Sequence, residues 1–427
     1  MVDGAKPMTP EKTGGGVAIA HPGHLLVAYQ AALALQEAGL LDRFETGFYF
    51  KNGWLARHIL ALFPQGLSAR LSRQLQRRTH AGLSARRVRT HPLAELIYLL
   101  AVKTPFLRRW SGRALQWRNE HFDAIVARLV RRERPRAVIC YDSCASKAFE
   151  AAEQAGAVRI LDQVVGHIGA GVEMLAEERR LHPDFADSIP DDIDTWALRR
   201  CSAEALAADR VIAASEYVRD TLVAHGVAPS RIAICPYGVD IERFSPAPRD
   251  GERPFRILFV GQLSQRKGIK YLIEAFKALE LENAELILMG GVVGSGDYLK
   301  PYEGIFTHIR HVPYAELPRY YRMADIFVYP SLHEGSALAI YEALASGLPV
   351  IATHNAGSVA RDGVDGFIVP IRDIEALKEK ILLLYRDKAL RENMSIQARM
   401  RSESYTWQAY RQRLAGIVRD EIEGGAA

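Results

Sequence analysis

From Val17 onward, short apolar runs alternate with longer segments whose apolar residues recur every three or four positions. The first run is Val17-Ala18-Ile19-Ala20, followed by the loop His21-Pro22-Gly23-His24 and a helical stretch that Gly39 should stop. Phe48-Tyr49-Phe50 reads as the second strand, residues 137–140 and 158–161 as later ones, with a helix over 146–155 between them. Residues 210–214 and 232–234 complete this half. Strands apolar on both faces, separated by helices, imply a parallel sheet covered on both sides. A Pro-rich stretch over 245–254 reads as a linker, and the rhythm then restarts. Strands are expected at 256–260, 285–289, 310–312, 326–329, 349–352 and 366–369, again with helices between them. A chain of 427 residues is too long for one compact core. The pattern therefore predicts a polar tail over 1–16 and two doubly wound α/β domains, 17–247 and 248–403. A C-terminal helix over 404–427, able to return to the first domain, completes the partition.

Composition changes this picture in one place. Hydrophobic residues make up 48% of the chain and charged residues 25%, ordinary values for a globular protein. The formal net charge is only +5, yet the stretch from Lys51 to Arg118 holds 14 basic residues against the single acid Glu95. Apolar and aromatic residues such as Trp54, Leu96, Ile97, Leu100, Phe106 and Trp110 interleave with these bases. Residues 51–135 thus form a basic helical insertion, and 51–118 fit an anionic membrane surface or polyanion; the plainer alternative is a solvated set of helices. No apolar run approaches the roughly 20 residues needed to cross a bilayer. The polar N-terminus lacks a signal-peptide pattern. Cys140, Cys144, Cys201 and Cys235 show no paired metal-ligand spacing and suit a reducing compartment. The expected location is cytoplasmic, peripheral on the membrane face if the basic stretch docks there; nucleic acid is not an expected partner.

Two segments carry candidate chemistry. In Glu334-Gly335-Ser336-Ala337-Leu338, a carboxylate lies in a loop after a strand and a helix is expected to start near Ser336. The free N–H groups of Ser336, Ala337 and Leu338 would then suit an anion such as a phosphate. Glu342 is the one charged residue from Gly335 to Ala352, so it needs a basic partner or a ligand with hydroxyl donors. In the second segment, Phe259-Val260-Gly261-Gln262 leads through Ser264 and Gln265 to Arg266-Lys267-Gly268. Gly261 at the strand end permits close backbone approach, and a lysine beyond a strand's carboxyl end is a phosphate counter-charge. Asp192-Ile193-Asp194 spells a metal-binding pattern but sits in a polar stretch that reads as a helix start. Gly14-Gly15-Gly16 precedes its strand and is no phosphate loop.

These segments resemble family 4 of the nucleotide-sugar glycosyltransferases, retaining enzymes of the GT-B fold. The resemblance rests on the two glutamates with seven residues between them, on FVGQLSQRKGIKYLIEAF and ICPYGVDIERFSP, and on ADIFVYPSLHEGSALAIYEALASGLPVIAT and DGVDGFIVP. It is strong over 215–370 and looser before that, where VAIAHPGH and ILDQVVGHIGAG fit; within 51–135 no named motif matches. It implies two Rossmann-like domains facing across a cleft, the first binding the acceptor and the second the donor nucleotide sugar. Glu334 would hold the sugar hydroxyls, Glu342 the ribose, and Lys267 the diphosphate with help from the amides at Ser336, Ala337 and Leu338. Gln262 stands where the family has an arginine, which leaves Arg266 as its substitute. Val312 and Pro313 would pack on the base, Gly23 would approach the phosphate or acceptor, and His167 would bond the donor sugar. The implied activity is metal-independent transfer of a hexose-type sugar to a glycan or lipid-linked acceptor, in polysaccharide or glycolipid synthesis. A sugar-nucleotide epimerase or phosphorylase on the same fold, or a non-catalytic membrane binder, are the competing readings.

Overall fold

The structure is a computed structural model that describes residues 15–50, 79–80, 82–189, 195–247 and 253–424. The tail over 1–14, the first part of the basic stretch at 51–78, the Asp192-Ile193-Asp194 pattern and the linker core at 248–252 lie outside the described residues. By packing, the chain divides into two compact units, Met1–Ile160 with Ala415–Ala427, and Leu161–Leu414.

Thirteen strands are present among the described residues. They are β1 (Gly15–His21), β2 (Leu41–Thr46), β3 (Val88–Thr90), β4 (Pro135–Tyr141), β5 (Val158–Gln163), β6 (Arg210–Ala213) and β7 (Ile232–Ile234). Then come β8 (Phe255–Val260), β9 (Ala284–Met289), β10 (Thr307–Ile309), β11 (Ile326–Tyr329), β12 (Val350–Thr353) and β13 (Gly366–Val369). The first seven form one sheet in the order β3-β2-β1-β4-β5-β6-β7 and the rest a second in the order β10-β9-β8-β11-β12-β13. Strand pairs such as β1/β4 and β8/β9 run parallel, as strands joined by helices must. The expected pair of doubly wound sheets is present. Val17 and Ile19, Ile139 and Cys140, Ile257 to Phe259, and Ile326 to Val328 are fully buried, the signature of strands covered on both faces.

Three expectations need correction. The second strand is not Phe48-Tyr49-Phe50 but β2, whose Leu41 and Phe44 are buried while its charges find partners, Arg43 on Asp42 and His91 on Glu45 at 2.7 Å. The strand expected at 310–312 is β10, at Thr307–Ile309, a short edge strand with little apolar signal of its own. The C-terminal helix starts at Trp407 rather than 404; its part from Ala415 belongs with the first unit, where Arg136 donates to the carbonyl of Ile422 at 3.1 Å.

In the second sheet the carboxyl ends of β8, β9 and β11 are drawn close by glycine. A Cβ on Gly290, whose φ is +148°, would lie 1.8 Å from the carbonyl oxygen of Gly261. Only glycine permits that approach.

Candidate active site

Beyond β8 the chain passes Gly261 and the exposed Gln262, then makes a short turn over Gln265–Lys267. Gly268 ends the turn at φ +69°, where a Cβ would sit 2.0 Å from the carbonyl of Pro330. The turn is thus wedged against the end of β11, and Lys267 is carried inward, 6% exposed. Its ammonium donates to the Tyr329 hydroxyl at 2.8 Å and pairs with the Glu334 carboxylate. Arg266 bonds the same carboxylate at 3.3 Å and the carbonyl of His333 at 2.8 Å. Burial first, then the charge of Arg266, hold the Lys267 ammonium well below the ordinary lysine range. Two basic side chains share one carboxylate in a largely buried place, and an anion bound beside them would favour their charged forms. Gln262 has no part in this group; Arg266 supplies the second cation.

Glu334 and Gly335 lead into a helix that starts at Leu338, two residues later than expected, and runs to Ala345. Gly335 is packed so closely that a Cβ would lie 1.6 Å from the carbonyl oxygen of Val164. Its own carbonyl accepts from Ser215 at 2.5 Å, and Gly166 N–H donates to the Glu334 carbonyl at 3.1 Å. The expectation of three free amides is corrected: Ala337 N–H is taken by the carbonyl of Ala356 at 3.2 Å. The amides of Ser336, Leu338 and Ala339 have no partner among the described residues. The Ser336 hydroxyl is held by Tyr341 at 2.6 Å and by the Gly357 carbonyl at 3.1 Å.

Glu342 is satisfied by phenols rather than by a basic side chain. Tyr321 donates to it at 2.8 Å, and Tyr314 is a second hydroxyl partner. Burial pushes its pKa up to about 7, against the opposing pull of the two tyrosines and then of Arg243. Tyr314 follows directly on the half-buried Val312 and the exposed Pro313, with the Arg243 guanidinium 4.9 Å from its ring. That loop and Glu342 are thereby joined. Tyr329 lies between the two acids: its ring stacks on Phe259 at 5.2 Å and Phe327 at 5.8 Å, while its hydroxyl feels Arg266 and Glu342. Lys267, Glu334 and Glu342 therefore converge around one tyrosine.

His167 caps the helix Ile168–Leu181, its Nδ1 accepting from Gly169 N–H at 3.1 Å. In the neutral ring the proton therefore sits on Nε2. Burial, then the neighbouring His225 stacked 4.0 Å away, lower its pKa to about 4. His333 is buried beside it and shares a 2.7 Å hydrogen bond with the Tyr217 hydroxyl. Glycine makes room for both imidazoles: a Cβ on Gly166 or Gly171 would come within 2.8 or 2.7 Å of the His333 ring, and one on Gly169 within 2.5 Å of His225. Gly23 belongs to the other compact unit, in the loop after β1, where its N–H donates to His21 Nδ1 at 3.2 Å.

Sequence reasoning missed Tyr329, Tyr314, Tyr321 and His333. Tyr329 and His333 could have been found, since both flank the strand-end loop that carries Glu334. Tyr314 and Tyr321 reach Glu342 from across the fold and leave no local signal.

The profile of glycosyl transferases group 1 matches residues 240–401, and that of glycosyltransferase family 4 matches residues 67–243. The D-inositol 3-phosphate glycosyltransferase of Paenarthrobacter aurescens is 31% identical over 242 residues, 49% of this chain and 59% of that protein. The GDP-mannose-dependent alpha-(1-6)-phosphatidylinositol monomannoside mannosyltransferase of Mycolicibacterium smegmatis is 28% identical over 305 residues, 65% of this chain and 74% of that one. The chain thus spans less than two thirds of the first relative's length. Its fold matches the Anabaena protein HepE, solved with UDP and glucose, at a TM-score of 0.62 and 17% identity, over 95% of this chain and 100% of that one. With the two profiles together running from residue 67 to residue 401, the chain belongs to the family 4 glycosyltransferases, a two-domain α/β group of Rossmann-like architecture.

Proposed function

We propose that this chain transfers a hexose-type sugar from a nucleoside diphosphate sugar to an acceptor hydroxyl with retention of configuration, in the cytoplasm. The observation that carries the reading is the pairing of Lys267 and Arg266 on Glu334, beside the unpartnered amides of Ser336, Leu338 and Ala339. A diphosphate meets both needs. It favours the charged forms of both basic side chains, and it accepts from a helix start.

In this reading the bond from the anomeric carbon to the diphosphate breaks while the acceptor oxygen bonds that carbon on the same face. The acceptor's proton passes to an oxygen of the departing diphosphate. Lys267 and Arg266 stabilise the growing charge on that leaving group, so no resident metal or cofactor is required. Glu334 holds sugar hydroxyls, and His167 offers its Nε2 proton to the sugar. Glu342, whose pKa burial raises to about 7, exchanges hydrogen bonds with the ribose beside Tyr321 and Tyr314. Val312 and Pro313 flank the base, and Gly261 lets the diphosphate approach the backbone. The first domain, 17–247, supplies the acceptor side with Gly23, and the second, 248–403, the donor side.

The relatives act on an inositol phosphate and on a phosphatidylinositol mannoside, which favours a sugar-phosphate or lipid-linked acceptor here. Family membership favours transfer over epimerisation, phosphorolysis or a purely binding role. Uridine, guanosine and adenosine diphosphates and their sugars should separate in a thermal-shift screen, the right nucleotide raising the melting temperature by mass action. A screen in which no nucleoside diphosphate shifts the melting temperature would sink the proposal.

An anionic membrane is the proposed docking surface. On and after the helix Pro92–Lys103, Leu93 is 62% exposed and Phe106 74%, joined by Leu96, Ile97, Leu100 and Trp110. Such a cluster is larger than scattered surface apolar residues explain. Arg109 and Arg113 lie 5.6 and 4.9 Å from the Trp110 ring, so cations border the apolar face. No helix among the described residues is long and apolar enough to cross a membrane. The protein should co-sediment with phosphatidylglycerol vesicles, and Leu96→Asp with Leu100→Asp should release it. Equal recovery with phosphatidylcholine vesicles at low salt would count against docking by charge.

A further inference from the structure

The helix Ile168–Leu181 that His167 caps carries in its last turn a buried acid, Glu178, none of whose surface is exposed. Four groups meet there. Glu178 accepts from the Gln265 amide at 2.8 Å, from the Tyr271 hydroxyl at 3.1 and 2.9 Å on its two oxygens, and from the Arg372 guanidinium. Tyr271 in turn bonds His182 at 2.8 Å. Arg372 holds its place with φ +64°, a backbone conformation that non-glycine residues adopt only where the surroundings enforce it.

Gln265 is the first residue of the turn that carries Arg266 and Lys267. It is fully buried, its backbone N–H donates to the Ser188 hydroxyl at 2.9 Å, and its side-chain oxygen accepts from Lys270 N–H at 3.4 Å. The turn is thus fixed at one end by Glu178 and Ser188 and at the other by Gly268 against Pro330. A three-residue turn anchored at both ends has little freedom in where its side chains point.

We propose that Glu178 is a positioning residue: through Gln265 it fixes where Arg266 and Lys267 present their charges to a diphosphate. This rests on the donor site proposed above. Stability alone is a poor reason for such a residue, since apolar replacements of buried ion pairs are often neutral or stabilising. A displacement of about an ångström at a charge that must meet a reacting group is, in contrast, worth up to about a hundredfold in rate.

The test uses the full chain, with inorganic pyrophosphate as the probe of the cation pair alone. In Glu178→Gln, pyrophosphate affinity by titration calorimetry should fall about tenfold, and kcat should fall by about as much with little change in acceptor KM. Gln265→Met, which removes the same link but leaves Glu178 paired with Arg372 and Tyr271, should lose as much and covers the case in which the first variant fails to fold. Asp187→Asn is the control. Asp187 tethers the same segment to Ser295, at 2.6 and 2.7 Å, but does not touch the turn. It should lower the melting temperature while leaving pyrophosphate affinity within about twofold of the parent. Folded Glu178→Gln or Gln265→Met with unchanged affinity and kcat overturns the proposal, and so does a parent that does not bind pyrophosphate. A parent that binds pyrophosphate but no sugar nucleotide overturns the donor-site reading instead.

Discussion

Replacing Lys267 by alanine should lower kcat/KM for sugar transfer about a hundred- to a thousandfold, the usual effect of removing one preorganised charge from a developing anion. The size of the effect follows from burial. An ammonium at 6% exposure acts through little water, so its field at the leaving oxygen is weakly screened. Lys267→Met, which keeps the stem but not the charge, should lose as much, whereas Arg266→Ala should lose less because Arg266 is only partly buried. Neither change at Lys267 should unfold the protein, since Glu334 keeps Arg266 as a partner at 3.3 Å. Steady-state rates with the donor identified by thermal shift would decide it. Activity within about threefold of the parent would remove Lys267 from the mechanism.

Gly335→Ala should be among the most damaging single methyls at the described glycines. The added carbon would stand 1.6 Å from the Val164 carbonyl oxygen, 2.7 Å from its carbon and 3.0 Å from the Val165 Cα, all backbone atoms that cannot rotate away. Relief requires parting the 164–166 and 334–336 segments. That would strain the bond from Gly166 to the Glu334 carbonyl and the one from Ser215 to the Gly335 carbonyl. Overpacking of this kind costs about 3 kcal/mol, and Glu334 would move with it, so activity should fall further than stability. Chemical denaturation read alongside transfer rates measures both. As a control, Gly416→Ala adds a methyl with nothing within 4 Å inside the helix Trp407–Gly424 and should stabilise slightly. A Gly335→Ala protein as stable as the parent would show that the 164–166 loop yields freely.

Most strands were legible because they are apolar on both faces, and a run such as Ile257-Leu258-Phe259 has few other uses. β2 escaped because its buried Glu45 finds its partner far along the chain: His91 reaches it from 46 positions away. β10 escaped because an edge strand of three residues is defined by its neighbour rather than its own pattern. At the site, Glu342 stood out as a lone charge in an apolar run, and Lys267 and Glu334 by their places in loops that follow strands. The tyrosines around Glu342 did not, because a phenol in an apolar run reads as core until the fold shows what its hydroxyl meets. The amide of Ala337 was hidden for a related reason: its acceptor, Ala356, lies beyond the next strand.

The imidazole of His333 occupies the room that side chains at Gly166 and Gly171 would otherwise take. Positions 171 and 333 are therefore coupled under mutation, and 166 is coupled to both 333 and 217. While the histidine stays, neither glycine can drift; a smaller residue at 333 frees position 171, whereas a Cβ at 166 still meets the Tyr217 ring at 2.9 Å. Lineages should consequently change position 333 before position 171, whereas position 166 should open only after both 333 and 217 have changed.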